Sequence, residues 1–293
     1  MVSTKTSFAA SCVFVLLWST GFIVGRMIVG SASPNIFLAL RFFLSCLLFT
    51  TLALGLNKKW PPLSEWYKHA IAGFFINGIY LGGSYWAIAQ GFPAALMALF
   101  GALQPAVTMI ILFFLIDEKL SRLQGIGILI GLSGVIMVLL PSIETSGGQN
   151  YSPVVLLIAA ASILSITWGT ILQKSSIASS ELLPSMAIQN AFAAVTSAAL
   201  IILLDESTIS LNLNFIFALV WAVIVLSGLG TFLLIWLIRH GNTTQTTSLL
   251  LLAPPLAAIK AWLLFGEQLS LFQITGFALS LTGVAVCRKI SVS

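Results

Sequence analysis

The chain is expected to fold as an all-α membrane protein of ten transmembrane helices, built as two inverted five-helix repeats. Three observations predict this. Hydrophobic residues fill 59% of the 293 positions and charged ones 7%, with a mean hydropathy of +1.08, whereas an ordinary soluble domain carries about 25% charge. Apolar runs recur along the whole length, each near the roughly 20 helical residues that cross a hydrocarbon core. Finally, Pro105, Glu118, Leu120, Ser121, Gln124, Gly127 and Gly134 recur 149 residues later as Pro254, Glu267, Leu269, Ser270, Gln273, Gly276 and Gly283. Such self-similarity marks a duplicated unit.

The runs fall at 8–29, 36–56, 70–90, 95–116, 124–140, 153–173, 183–204, 214–237, 244–265 and 270–287. They read as helices, because they lack the alternation of a lipid-facing barrel strand and lipid leaves no backbone polar group unsatisfied. The first follows Lys5 and carries Trp18, Ser19 and the small pair Gly21 and Gly25. It exceeds a secretory h-region and no cleavage-like site follows, so it is expected to remain as a span. The second carries Arg41 and Phe42 after Pro34. The third sets Asn77, Tyr80 or Leu81, and Ser84 on one face, with the small pair Gly78 and Gly82. The fourth contains Gln104 and Pro105, and the fifth is rich in glycine at 125, 127, 131 and 134. In the second half the sixth span holds Trp168, the seventh Asn190, and the eighth Trp236. The ninth holds Pro254, Pro255 and Lys260, and the tenth Gly276, Ala278, Ser280 and Gly283.

The repeats are assigned to 1–140 and 153–289. At an offset of 150, Trp18 pairs with Trp168, Pro34 with Pro184, Trp86 with Trp236 and Gly91 with Gly241. Between them, 141–152 is Gly-rich and polar and reads as an extracytoplasmic linker. Short cytoplasmic connections keep an excess of Lys and Arg. With the N-terminus inside, Lys58, Lys59, Lys68, Lys119, Arg122, Lys174, Arg239, Arg288 and Lys289 all fall on the cytoplasmic side, as does Lys5. The opposite connections, 30–35, 91–94, 141–152, 205–213 and 266–269, contain neither residue type. Both termini are then cytoplasmic. Five helices per unit is an odd number, so the second unit is inverted, with Glu118 inside and Glu267 outside.

The net charge of +5 is thus a property of connections and calls for no nucleic acid. Cys12, Cys46 and Cys287 are far apart in apolar surroundings, which fits neither disulfides nor a metal site. No cofactor or metal is expected. An intramembrane enzyme would need a catalytic constellation, but His69 and His240 lie near connection ends and no carboxylate pair occupies a span.

These residues resemble the drug/metabolite transporter superfamily, in its ten-helix EamA branch of bacterial metabolite exporters. The resemblance covers essentially the whole chain, through Trp18-Ser19, Arg41-Phe42 after Pro34, and the twice-repeated motif of proline, apolar run, Glu, Leu-Ser, Gln and Gly. Asp117 and Pro255 depart from the family pattern. The resemblance implies ten helices around a central cavity in the inner membrane, alternating access between the halves, and a small organic metabolite as substrate. Export, and a preference for amino acids or related compounds, come from the resemblance alone. Uptake or exchange of another zwitterionic or phosphorylated metabolite stays open, as does a binding or assembly protein that transports nothing.

Proline removes a backbone donor, and in hydrocarbon the freed carbonyls must face protein, water or ligand. Pro105, Pro254 and Pro255 therefore mark either a central site between broken helices or mere kinks in packed ones. All eight carboxylates map to connections or helix ends, whereas Arg26, Arg41 and Lys260 lie within spans without an obvious partner. A charged group there is a functional candidate by default. Lys260 is the leading candidate to meet a substrate carboxylate or phosphate; Arg41 is the next, with snorkelling or a structural contact as its alternative, and Arg26 is placed to snorkel. Trp18, Asn77, Tyr80, Ser84, Gln104, Trp168 and Asn190 can complete the pocket, or serve interhelical packing. The small-residue faces of the fifth and tenth spans allow close approach of a neighbour, either within the chain or in a homodimer.

Overall fold

The computed structural model describes residues 4–104, 106–108, 110–111, 122–144, 151–176, 180–230, 232–233, 237 and 252–290. Within these residues the regular structure is helical apart from one isolated pairing of Ala32 with Ile209. Among the described residues six helices are long and apolar enough to cross a membrane: Ala9–Met27, Pro34–Gly55, Leu63–Ala89, Pro153–Gln173, Leu182–Leu203 and Leu213–Gly230. Gly125–Val138, Ala253–Phe265 and Leu271–Val286 are shorter apolar helices. Pro105 and the 117–121 part of the repeated motif lie outside the described residues, as do Arg239, His240 and Gly241.

The first span consists of α1 (Thr4–Trp18) and α2 (Gly21–Met27), separated at Ser19 and Thr20. Both hydroxyls turn back on the backbone there. Ser19 Oγ donates to Leu16 O at 2.9 Å and Thr20 Oγ1 to Leu17 O at 2.6 Å, the local competition with which these side chains weaken a helix. Helix α3 (Pro34–Gly55) starts on proline in its first turn, where the missing donor costs nothing. The carboxylate of Glu206 accepts from Asn35 N at 2.8 Å and Asn35 Nδ2 at 2.7 Å, placing negative charge at the positive end of α3.

The third span is one rod in three parts, α4 (Trp66–Ala72), a π-helical stretch (Gly73–Ile79) and α5 (Tyr80–Ala89). The segment expected from sequence as the eighth span repeats the device, with α10 (Leu213–Val220) running into a π-helical stretch at Trp221–Gly230. Wider π turns rotate the faces beyond them, and they concentrate at functional sites. Between these rods lie α6 (Ala94–Ala102), α7 (Arg122–Glu144), α8 (Pro153–Ser176) and α9 (Leu182–Leu203). Helices α11 (Ala253–Phe265) and α12 (Leu271–Ile290) complete the bundle.

Helices pair as a twofold relation requires. α3 with α9 and α7 with α12 join sequence-equivalent helices, α6 packs on α11, and the α8 contact with the third rod is matched by that of α1 and α2 with the rod of α10 and its π-helical stretch. The α7–α12 pair gives the direction. Gly134 lies against Gly276 and Ser280, while Gly283 lies against Gly127 and Gly131, so these two helices run antiparallel. A Cβ on Gly134 or Gly283 would lie within 3.0 Å of the partner backbone. The small-residue faces of α7 and α12 are thus packed on each other within the chain.

Two core clusters hold the bundle. One centres on Ile88, Leu96, Leu99, Phe100 and Ile163, the other on Phe37, Phe42, Tyr85, Ala193 and Phe215. The perimeter is apolar as well: Leu129, Leu157 and Leu263 are 67%, 71% and 66% exposed. Such a surface suits lipid and would aggregate in water.

At one end of the bundle, 30–35 meets 205–213. Ser33 N donates to Thr208 O at 2.8 Å and Ser210 N to Ser31 O at 2.7 Å. At this end Glu267 also reaches Ala94 N and Ala95 N at 3.4 and 3.5 Å, capping α6. Four connections without Lys or Arg are thereby drawn together in pairs. Elsewhere Lys58 Nζ meets Glu181 Oε2 at 3.1 Å, joining the connections that follow α3 and α8.

Candidate functional site

A cavity of about 290 Å³ lies in the middle of the bundle. Its wall is built from the α1–α2 break, α3, the third rod, α6, α8, the second π-helical stretch and α11, so both repeats contribute. Six of the residues expected from sequence line it: Trp18, Arg41, Asn77, Tyr80, Gln104 and Pro254. The remaining wall is largely apolar, including Phe22, Ile166 and Leu226. Both π-helical stretches present residues to the cavity, Ile76 and Asn77 from one and Leu226 from the other.

Several contacts fix the lining. The Tyr80 ring meets Phe22 edge to face, centroids 6.2 Å apart. Gly101 stands opposite both rings, with 3.7 to 3.8 Å from its would-be Cβ to Phe22 and to Tyr80 Oη. The Gln104 amide donates to Thr170 Oγ1 at 3.2 Å, tying α6 to α8. Thr20 Oγ1 accepts from Trp221 Nε1 at 2.9 Å, which joins the α1–α2 break to the start of the second π stretch.

Arg41 is the cation of this wall, and it is 9% exposed. Its Nη1 donates to Tyr85 Oη at 3.3 Å, and Tyr85 Oη donates in turn to the Gly21 carbonyl at 2.7 Å. The Tyr85 ring is fully buried between Gly25 and Phe37. Three helices of the first repeat therefore hold the guanidinium at one place. Its Nε is buried with no partner.

Lys260 sits behind the wall and not in it. Its Nζ donates to Leu16 O at 2.6 Å and to Ser19 Oγ. The α1–α2 break leaves the Leu16 carbonyl free of its helical donor, and the lysine of the other repeat supplies one. The expectation that the span cations lack partners also needs correction for Arg26. Its Nε lies 3.5 Å from Glu267 Oε1, and its guanidinium is 5.6 Å from the centre of the Phe265 ring. That pairing crosses 241 residues of chain, so sequence gave no local sign of it.

Ser84, Asn190 and Trp168, also expected from sequence, are not among the residues lining the cavity. Ser84 is fully buried on α5 with its hydroxyl unpartnered. Asn190 donates to Met186 O at 2.8 Å, one turn back on α9. Trp168 is 39% exposed on α8. Pro254 and Pro255 do not bend a continuous described helix. They occupy the first turn of α11, after Leu252 as N-cap, where proline fits without loss of a hydrogen bond. Pro105 lies outside the described residues.

Sequence inspection missed the two π-helical stretches and the apolar wall of Phe22, Ile166 and Leu226. The sign that points to the stretches is their equivalence, since each falls in the third helix of its repeat at nearly the same offset as the repeated motif.

Comparison with known proteins covers the same ground. The sequence model of the EamA-like transporter family matches residues 6–140 and 152–288. A "Probable amino-acid metabolite efflux pump" of Salmonella typhimurium is 26% identical over 97% of this chain and 95% of its own length. The "Uncharacterized inner membrane transporter YedA" of Escherichia coli K12 is 28% identical over 53% of this chain and 50% of its own. One solved structure, titled "Crystal structure of protein", superposes with a TM-score of 0.66 at 22% identity, covering 99% of both chains. That likeness concerns the fold.

Proposed function

Because the chain belongs to the EamA-like transporter family, we propose that it is a secondary transporter of small organic metabolites that exports amino acids or related compounds by alternating access. The single observation carrying this reading is the mid-bundle cavity whose wall comes from both repeats. Substrate sites near the midplane at a repeat interface are the architecture of such transporters. The family match and the inner-membrane and efflux names of the relatives support a multi-pass inner-membrane protein and give amino-acid metabolites priority among cargoes.

In this reading the chain has ten spans with both termini in the cytoplasm, and the paired connections at one end form the closed external side. Opening there separates Ser33 from Thr208, Ser31 from Ser210 and Glu267 from α6. Trp18, Asn77, Tyr80 and Gln104 contact the cargo. Pro254 seats the start of α11 against it. Lys260 acts as a strut between repeats, fixing the α1–α2 break.

Counterflow in proteoliposomes tests the proposal. Radiolabelled amino acids and related metabolites are expected to show saturable exchange that depends on internal unlabelled solute. Flux that never saturates would mean a channel. No flux of any solute, with the protein folded and inserted, would leave a non-transporting membrane protein.

A further inference from the structure

Arg41 presents an unresolved charge. Seven residues beyond Pro34, it lies about 10 Å along α3 from the helix start, deep in a span and nine-tenths buried. A buried charge without a partner is strongly unfavourable, yet the described carboxylates near the bundle are engaged elsewhere. Glu206 caps α3, Glu267 caps α6 and meets Arg26, and Glu181 meets Lys58. Among the described residues no carboxylate lines the cavity. Of the five N–H donors of a guanidinium, the structure engages one on Nη1 with Tyr85, and Nε is unpaired. The side chain is also locked, because Tyr85 is itself anchored to Gly21 O. A preorganised cation facing an otherwise neutral cavity is a built half of an ion pair.

We propose that Arg41 is the specificity anchor of the cavity and that its cargo is a monocarboxylate with an apolar body. The inference rests on the transport reading and deepens it. One guanidinium balances one negative charge, and its planar donors match a carboxylate in two parallel bonds. A phosphate monoester would bring a second negative charge with no cation left in the described wall to meet it. A cationic compound would face Arg41 with like charge and is rejected. The apolar body packs on the wall residues Phe22, Ile166 and Leu226. Asn77, Gln104 and the Tyr80 hydroxyl supply neutral partners for one further polar group, so an α-amino acid is admitted while its carboxamide, which is a cation, is not.

The test uses the full-length protein in detergent and reads binding by thermal shift, independently of flux. The probes are monocarboxylates from propionate to indole-3-propionate, with phenylalanine, and each one's carboxamide, plus 2-phenylethyl phosphate. Wild type is expected to bind its best acid about tenfold or more tightly than the matching amide, as charge-assisted hydrogen bonds imply, and to bind the phosphate more weakly than that acid. Arg41→Gln is expected to abolish the acid-over-amide preference while still binding the neutral amides. Equal affinity for acid and amide in wild type, no binding of any acid, or a preference that survives in Arg41→Gln would each overturn the proposal. Should Arg41→Gln not fold, the wild-type ratio alone decides. Failure of the transport reading shows separately, as selective acid binding without counterflow of the bound acid.

Discussion

Glu267 closes one end of the bundle, and its neutralisation is expected to loosen that end measurably. The carboxylate takes Ala94 N and Ala95 N at the start of α6 and lies 3.5 Å from Arg26 Nε. Glu267→Gln preserves size and can still accept from the backbone, so only the charge is lost. Negative charge at a helix N-terminus is worth about 0.3–1 kcal/mol. The ion pair is partly open, with the side chains 36% and 13% exposed, and a pair of that kind adds about 0.2–1 kcal/mol. Together the closed end loses about 1 kcal/mol, a shift of about fivefold in its opening equilibrium. Ala95 is 1% exposed beneath the carboxylate, so Ala95→Cys reports opening through its reaction with a membrane-impermeant maleimide. The background replaces Cys12, Cys46 and Cys287 by serine. When opening is fast and labelling slow, the rate follows the open population, and Glu267→Gln should raise it about fivefold. An unchanged rate would refute the assignment of Glu267 as a closure between the repeats.

Four further outcomes are expected. Gly134→Leu drives a side chain into the backbone of Gly276 and Ser280, and should lower stability by about 1–3 kcal/mol, seen as a reduced thermal midpoint in detergent; Gly125→Ala, which meets nothing, should not lower it, since alanine favours the helix over glycine. Tyr85→Phe removes the hydroxyl between Arg41 and Gly21, and should weaken carboxylate binding several-fold in titrations while the preference over amides persists. Lys260→Met leaves the Leu16 carbonyl with Ser19 alone as donor; counterflow should slow and the thermal midpoint fall, whereas the acid-over-amide binding ratio should not move. Glu206→Gln keeps the size of the cap but removes its charge from the start of α3, and should cost about 0.3–1 kcal/mol, read as a lower midpoint.

Much of the architecture is written in local composition. Hydropathy marks the spans because a helix in lipid must be apolar around its whole surface, and the repeated motif marks the duplication because each copy keeps the same residues in the same order. The glycines of the fifth and tenth spans were legible for the same reason, since close backbone approach tolerates no side chain, and Gly134 against Gly276 is where that approach occurs. The absence of Lys and Arg from 30–35, 91–94, 205–213 and 266–269 groups connections that the structure joins in pairs at one end. Half of the candidate site could be read as well: polar or charged residues in mid-span are costly, so Arg41, Asn77 and Gln104 stand out against their neighbours.

What stayed hidden depends on partners remote in sequence. Arg26 and Lys260 look alike in the chain, two cations in apolar runs, yet one meets a carboxylate and the other a carbonyl freed by a break in α1. Pro254 and Pro255 look like a kink until the start of α11 is located. The π-helical stretches carry no special composition, because one extra residue per turn is set by packing against neighbouring helices and not by the residues within. Sequence alone thus determined that this protein is a duplicated set of apolar helices, since solvent and repetition act on each segment separately. Only tertiary structure decided which buried charges are neutralised and which one faces the cavity, since an electrostatic balance belongs to atoms brought within a few ångströms and not to their order along the chain.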